Sequence, residues 1–167
     1  MVRLPAKCPQ CGKAFMRRAH QQGPFEHLLA TLFCYPFRCQ LCRHRFLVLQ
    51  VGRRPRPQLT DLREYERIRV SSAASFFGEN IQGEGTTVDI SVKGCWIKGE
   101  KQVRKGWVLR LRIQRSLREP PIEIETAMVR WVLGNGFGVE FIQVQPKDDL
   151  KLRQLVEGLL DSHGAEP

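Results

Sequence analysis

The sequence predicts a mainly β protein with three parts: a small cysteine-bearing module, a small antiparallel barrel or sandwich, and a C-terminal α-helix. Three observations predict this arrangement. Two C-x-x-C pairs lie in the first fifty residues, apolar and polar residues alternate with period two in the middle of the chain, and apolar residues recur at helical spacing near its end. The chain has 167 residues, which is enough for one ordinary domain and a small module.

The cysteine pairs predict a metal site. Cys8 and Cys11 form the first C-x-x-C, and Cys39 and Cys42 form the second. Each loop lets two thiolates converge on one ion, so two loops supply the four ligands of a tetrahedral Zn²⁺. Because four thiolates leave no position for water or substrate, we expect a structural zinc that stabilises a ribbon-like module over residues 1–52. Redox-active disulfides are the competing interpretation, but no βαβ pattern of the thioredoxin kind surrounds either pair.

The first part of the chain is strongly basic. The chain carries a net charge of +10 and a pI near 9.8; residues 1–60 hold eleven Lys and Arg against one acid, and the remainder holds sixteen of each sign. Such a module favours an anionic partner, namely nucleic acid, an acidic protein surface or a phosphorylated ligand. A solvated basic surface without a partner has the same composition.

The overall composition, 42% hydrophobic and 26% charged, is typical of a globular protein. The N-terminal residues lack the apolar region of a secretory signal, and the densest apolar stretch, residues 25–37, is too short and too polar to span a bilayer. We therefore expect a cytoplasmic protein without membrane insertion, whose thiols stay reduced. Cys34 and Cys95 have apolar neighbours and are expected to be small buried side chains.

A linker is predicted over residues 53–62. It begins with Arg-Arg-Pro-Arg-Pro, in which the prolines disfavour helix and the arginines keep the segment solvated and extended. Residues 63–164 then form the β region and the helix.

Three segments with alternating apolar and polar residues predict strands that bury one face: residues 87–92, 107–114 and 137–142. Gly134-Asn-Gly136 predicts a hairpin turn before the last of them, because Asn-Gly tolerates positive φ. Several short antiparallel strands suit a small barrel or sandwich, and closure into a barrel removes exposed strand edges.

The period changes after Pro146. One helical stripe is predicted from Leu152, Leu155, Val156, Leu159 and Leu160, with Asp148 or Asp149 placed to cap the start of the helix. We expect this helix to pack on the barrel or on a second subunit. Its polar face carries both signs of charge, unlike that of a membrane-surface helix.

Two short motifs predict an anion- and purine-binding site. Arg63 and Arg67 form R-x-x-x-R, and Asp89, Ser91 and Gly94 form D-x-S-x-x-G at a strand end. A guanidinium group grips phosphate oxygens or the O6/N7 edge of guanine with two parallel bonds, and it also stacks on bases. Asp89 can accept from guanine N1–H and N2–H, Ser91 adds a hydroxyl donor, and Gly94 lets a ligand approach the backbone.

These motifs resemble those of the PilZ domain, a bacterial receptor for cyclic di-GMP. The resemblance covers roughly residues 60–160; besides both motifs, it rests on Gly136-Phe-Gly-Val-Glu-Phe141, which is similar to the family's G-x-G-V-x-F strand, and on the helix that follows. It implies a six-stranded antiparallel barrel whose outer surface takes the ligand. The family often has another arginine directly before R-x-x-x-R, where this chain has Leu62. Either Arg54 or Arg56 compensates, or the number of nucleotides bound differs.

The resulting interpretation is a binding switch and not an enzyme, since no nucleophile–base pair, carboxylate pair or phosphate loop is visible. The resemblance implies that cyclic di-GMP bridges the linker and the barrel rim, with Arg63 and Arg67 on guanine and phosphate and with Asp89 and Ser91 on a guanine edge. Ordering of the linker would then reposition the zinc module and signal to an unidentified partner protein.

Other interpretations stay open. A basic zinc ribbon joined to a small barrel also suits a nucleic-acid-binding regulatory protein, whose affinity falls steeply with salt. A degenerate PilZ domain would act only through protein–protein contacts. The motif residues also have purely structural explanations: Arg63 and Arg67 as salt-bridge residues on a helical turn, and Asp89 and Ser91 as a polar turn at a strand end.

Overall fold

The structure is a computed structural model that describes residues 7–50, 64–99, 102–116 and 118–163. The chain divides into two compact units, residues 1–66 and 67–167. The predicted linker over residues 53–62 lies outside the described residues, so the domain boundaries at 52 and 63 remain predictions. Across the described ranges, no helix combines the length and the apolar character that crossing a bilayer requires.

The first unit is a three-stranded antiparallel sheet with one helix. Its elements in chain order are β1 (Met16–Arg18), α1 (Gly23–Thr31), β2 (Cys34–Cys39) and β3 (Arg45–Leu49). Strand β2 is central and pairs with both β1 and β3. The second cysteine pair therefore begins at the end of β2 and continues into the turn towards β3.

Helix α1 is an element that the sequence pattern does not predict. Pro24 lies in its first turn, and the Glu26 carboxylate accepts a hydrogen bond of 2.6 Å from the Gln22 N–H. Glu26 also pairs with Arg45 of β3, at 2.6 Å. None of the helical residues is buried, and Phe25 is 67% exposed. The helix is therefore held by end contacts and an ion pair and not by a buried face.

Six strands of the second unit close into an antiparallel barrel in the order β4-β5-β6-β9-β8-β7. The strands are β4 (Ile68–Phe77), β5 (Gln82–Ser91), β6 (Gly94–Gly99), β7 (Val108–Gln114), β8 (Ile122–Leu133) and β9 (Gly136–Gln143). The six-stranded antiparallel barrel implied by the resemblance is thus confirmed.

The barrel interior is filled by large apolar side chains from all six strands. Among the largest that are fully buried are Phe76, Ile90, Ile97, Leu109, Ile124 and Phe137. The rings of Phe76 and Phe137 pack edge to face with their centroids 5.1 Å apart. The predicted alternation is confirmed in β7, where Leu111 is buried between exposed arginines. Trp107, which the pattern placed at the head of this stripe, instead precedes the strand and is 36% exposed.

Strand β5 departs from the predicted alternation. Its pairing with β6 shifts register between Thr87 and Asp89, which makes Val88 the extra residue of a β-bulge. As a result Thr87 and Ile90 are both fully buried, although they are three residues apart. The bulge directs Asp89 away from the core.

The hairpin predicted at residues 134–136 is confirmed, with the turn one residue earlier than expected. Leu133 pairs with Gly136, so Gly134 and Asn135 form the loop between β8 and β9. Gly134 has the positive φ, 58°, which the sequence analysis assigned to the Asn-Gly pair.

Helix α2 (Pro146–His163) packs on the barrel through contacts with β8 and β4. Four of the five residues of the predicted stripe are buried, namely Leu152, Leu155, Val156 and Leu160, whereas Leu159 is half-buried. The predicted cap is wrong, because the helix begins at Pro146 and places Asp148 and Asp149 inside its first turn. The buried Asp148 carboxylate instead accepts a hydrogen bond of 2.8 Å from Lys151 Nζ. Both acids also suit the positive end of the helix dipole.

We expect Gly94→Ala to lower the free energy of unfolding of the barrel by ~1–3 kcal/mol even without a ligand. A Cβ at Gly94 would meet the carbonyl oxygen of Val139 on the neighbouring strand β9. Gly158→Ala is the matched control: it lies in α2 with open space around it, so it should gain ~0.5–1 kcal/mol.

Urea unfolding followed by tryptophan fluorescence measures both effects, because all three tryptophans belong to the second unit. A Gly94→Ala variant with the wild-type midpoint would contradict the close approach of the two strands.

Candidate functional site

Arg67 and Asp89 form an ion pair on the barrel. Arg67 precedes β4 and Asp89 lies on β5, and Arg67 Nη1 donates to Asp89 Oδ1 over 3.0 Å. The side chains are 18% and 19% exposed, so the pair is partly screened from water but accessible. Of the predicted site residues, these two are brought into direct contact.

The Asp89 carboxylate has a structural bond as well as the ion pair. The same oxygen, Oδ1, accepts the backbone N–H of Trp96 over 3.1 Å, next to the β-bulge. No described residue bonds to Oδ2 of Asp89 or to Nη2 of Arg67. The pair therefore keeps one acceptor and one donor edge for a further group.

Ser91 and Gly94 form the turn between β5 and β6. Ser91 is 4% exposed, and its hydroxyl donates to the Gly94 carbonyl over 3.2 Å and accepts the Lys93 N–H over 3.3 Å. The single hydroxyl hydrogen is thus already used within the turn. Gly94 is buried against the backbone of Val139. Both residues support the structural explanation of a polar turn.

Two tryptophans that the sequence analysis did not single out lie beside this pair. Trp96 of β6 and Trp131 of β8 are both register partners of Gly138 on β9, which lies between them. Their ring centroids are 6.0 Å apart at an interplanar angle of 50°. A Cβ at Gly138 would collide with the Trp131 ring, so a residue without a side chain is needed there.

The site is therefore a row across four neighbouring strands. Asp89, Trp96, Gly138 and Trp131 are successive register partners on β5, β6, β9 and β8, and register partners share a face of the sheet. Their neighbours along the strands, such as Ile90, point into the core, which places the row on the outer face. A charged pair next to two indole rings can bind a planar group that carries hydrogen-bond donors.

Arg63 lies outside the described residues, as do Leu62, Arg54 and Arg56. The alternative that the R-x-x-x-R segment is a helical turn is wrong for its described part, because residues 64 and 65 form a bend and residues 66 and 67 have no regular secondary structure. The ion pair of Arg67 is with Asp89 on β5 and not with a neighbouring glutamate.

The four predicted metal ligands meet in the first unit. The sulfur atoms of Cys8, Cys11, Cys39 and Cys42 all lie within 4.8 Å of one another. The Cys8–Cys42 and Cys11–Cys39 sulfurs are 3.5 and 3.6 Å apart. Ligands about 2.3 Å from a tetrahedral Zn²⁺ would be about 3.8 Å from each other. The group fits one ion of this size.

The two cysteine loops have matching backbones. The residue after the second cysteine has a left-handed conformation in both loops, with φ of 72° at Gly12 and 67° at Arg43. Gly12 was expected to make a tight turn, whereas Arg43 adopts the same conformation at a steric cost. The Cys39 N–H donates to the His44 carbonyl over 2.8 Å and closes the second loop.

The thiols of the group differ in acidity. Burial raises the pKa of Cys39, and it raises the pKa of Cys42 to about 12. Burial also acts to raise the pKa of Cys8, but hydrogen bonds from the backbone of Cys11 and Gln10 and from the thiols of Cys42 and Cys11 together outweigh it, and this pKa lies below its usual value. Since cysteine binds metals as the thiolate, occupation of the site must release protons.

The two remaining cysteines are separate from this group. Cys95 is fully buried in the barrel, as predicted, and burial raises its pKa. Cys34, at the start of β2, is only half-buried.

The comparisons with known proteins agree with this architecture. A family model described as PilZ domain matches residues 61–158. Comparison with curated protein sequences gave no match.

Two solved structures have a similar fold. YcgR from Escherichia coli in complex with c-di-GMP is 14% identical, with 89% of this chain and 74% of that chain covered and a TM-score of 0.53. The Bacillus subtilis inhibitor of motility (MotI/DgrA) is 16% identical, with coverages of 80% and 75% and a TM-score of 0.51. Matches at sequence identities this low show a similar fold and nothing more. The family model, however, covers more than half of the chain, and the chain therefore belongs to the PilZ domain family.

Proposed function

We propose that this protein is a receptor for cyclic di-GMP that binds the nucleotide on the outer face of its barrel. Membership of the PilZ domain family supports the proposal, and YcgR, whose fold is similar, was crystallised with this nucleotide. The observation that carries it is the Arg67–Asp89 pair, a partly exposed ion pair in which each partner has an edge that bonds to no described residue.

Each site residue has a role in this proposal. Asp89 Oδ2 accepts an N–H of guanine, and Arg67 donates to phosphate or to the O6/N7 edge, where a charged donor forms strong bonds. Arg63, directly after the linker, is the second guanidinium that contacts the ligand. Trp96 and Trp131 supply apolar ring surface for a base. Ser91 and Gly94 act through the turn that fixes Asp89.

The cysteine group, in this proposal, holds one structural Zn²⁺. Four thiolates complete its coordination, so the ion supplies folding energy to a unit too small to be stable without it. Nucleotide binding orders the linker, residues 53–62, and repositions the zinc module towards a protein partner. The output requires that the nucleotide prefer one linker arrangement over the other. The protein would be a switch and not an enzyme, and it would work in the cytoplasm, where thiols stay reduced.

Nucleic acid is the alternative partner of the basic module. The exposed apolar residues of α1 favour protein instead: Phe25 and Leu28 are 67% and 63% exposed, and exposed apolar groups suit a protein surface better than a phosphate backbone.

We expect Arg67→Ala and Asp89→Asn each to weaken cyclic di-GMP binding at least tenfold, since a charged hydrogen bond contributes about 1.5–3 kcal/mol. Asp89→Asn keeps a carbonyl oxygen for the Trp96 N–H but loses the charge that Arg67 and guanine both need. Arg110→Ala on β7 is the control with the same change in net charge as Arg67→Ala, and it should bind as the wild type does. Isothermal titration calorimetry measures all four affinities.

The same titration separates the alternatives. Cyclic di-AMP, which lacks the guanine donors, should bind far more weakly than cyclic di-GMP. Equal affinities for wild type and both site variants would refute the assignment of these residues. If the wild-type protein binds neither nucleotide but binds duplex DNA with steep salt dependence, the result favours the nucleic-acid alternative.

We expect metal analysis to find one zinc per chain in the wild type and in Cys34→Ser, but much less in Cys39→Ser. A strong chelator should unfold the first unit because the ion stabilises it, and should leave the tryptophan emission of the barrel unchanged. Both tyrosines, Tyr35 and Tyr65, lie in the first unit, so tyrosine and tryptophan signals report the two units separately. A metal-free protein with an intact first unit would overturn the zinc assignment.

A further inference from the structure

Gln40 is a buried polar side chain of the first unit, and it lies inside the second cysteine loop, between Cys39 and Cys42. It is 4% exposed. Its Oε1 accepts the Glu66 N–H over 2.7 Å, and its Nε2 donates to the Glu64 carbonyl over 3.2 Å. The loop therefore grips the backbone of a segment more than twenty residues away in sequence.

Arg38, which directly precedes the same loop, contacts the side chains of this segment. Its Nη2 pairs with Glu64 Oε1 over 3.3 Å, and its Nη1 donates to the Tyr65 hydroxyl over 3.3 Å. The guanidinium also lies 5.8 Å from the centre of the Tyr65 ring. All three residues from Glu64 to Glu66 are thus held by Arg38 and Gln40.

These contacts are of functional interest because of where the segment lies in the sequence. Residues 64–66 are the three residues between the arginines of R-x-x-x-R, and they belong to the same compact unit as the cysteines. Gln40 shares its loop with Cys39 and Cys42, whose sulfur atoms lie within 4.8 Å of those of Cys8 and Cys11.

We propose that the second cysteine loop is a clamp on the R-x-x-x-R segment, through which metal binding and nucleotide binding stabilise each other. The proposal rests on the cyclic di-GMP function given above. Gln40 is its positioning residue and touches neither the ion nor the nucleotide. A clamped segment has fewer conformations to lose when Arg63 and Arg67 engage a ligand, so the free protein is partly preorganised.

Coupling of this kind is reciprocal: if the metal raises nucleotide affinity by some factor, the nucleotide raises metal affinity by the same factor. Typical couplings correspond to about 5- to 150-fold. The clamp therefore predicts two measurable effects, one on nucleotide affinity and one on metal affinity.

The first experiment compares Gln40→Ala with Gln10→Ala in the full chain loaded with zinc. Gln10 is the matched control, a glutamine of the first cysteine loop whose side chain is exposed. We expect both variants to retain one metal per chain. Gln40→Ala should weaken cyclic di-GMP binding at least fivefold in calorimetry, and Gln10→Ala should bind as the wild type does.

The second experiment measures the zinc dissociation constant by competition with a chromophoric chelator, with and without saturating cyclic di-GMP. In the wild type the nucleotide should tighten zinc binding at least fivefold. In Gln40→Ala this effect should disappear. A merely structural role of Gln40 would change the zinc affinity but not its dependence on nucleotide.

The outcomes separate this proposal from the function on which it rests. Wild-type protein that does not bind cyclic di-GMP overturns both. Normal wild-type binding, with Gln40→Ala unchanged and zinc affinity independent of nucleotide, overturns the clamp alone. If Gln40→Ala loses its metal, Arg38→Met decides by the same two measurements, because Arg38 holds Glu64 and Tyr65 from outside the loop.

Discussion

The pairing of β6 with β9 is the contact on which the rest of the barrel depends. Strands β4 to β6 and β7 to β9 each form a consecutive series, and only the β6–β9 and β4–β7 pairings join the two series into a closed sheet. The β6–β9 pairing requires glycine at 94, where the Val139 carbonyl occupies the space of a side chain. It also places Trp96 beside Gly138, which the β8–β9 pairing places beside Trp131, and so continues the row that begins at Asp89. The strand pairing that closes the barrel therefore also determines the geometry of the site.

How far the sequence predicts this fold depends on whether a feature is local. The alternation in β7 and the apolar stripe of α2 report burial directly, so both were predicted correctly. The bulge at Val88 breaks the same rule, because two residues of β5 oppose one of β6 and no single-strand pattern reveals a partner's register. Helix α1 was missed for a related reason: it buries none of its residues, and Glu26 stabilises it through Arg45, nineteen positions away.

The candidate site also contains residues that the sequence could predict and residues that it could not. The motif spacing led to Arg67 and Asp89, which the structure brings within 3.0 Å. It could not lead to Trp96 and Trp131, since these rings meet only through the register of three strands. Nor could it show that Gln40 reaches the residues between the two arginines, because that contact depends on the path of the chain beyond β2. The four cysteines were the easiest site residues to predict, since the spacing within each C-x-x-C loop already brings two sulfur atoms close together.

The five motif residues do not carry equal information about binding. The Ser91 hydroxyl forms its hydrogen bonds within the β5–β6 turn, and Gly94 leaves room for the backbone of β9. Both residues therefore have a structural role in this barrel whether or not it binds a ligand. Asp89 is intermediate, since one oxygen supports the Trp96 N–H and the other bonds to no described residue. Arg67 contributes to the described fold through one bond to Asp89. The serine and the glycine can therefore persist in such a barrel without a ligand, and Arg67 and Asp89 are the residues that we propose for ligand contact.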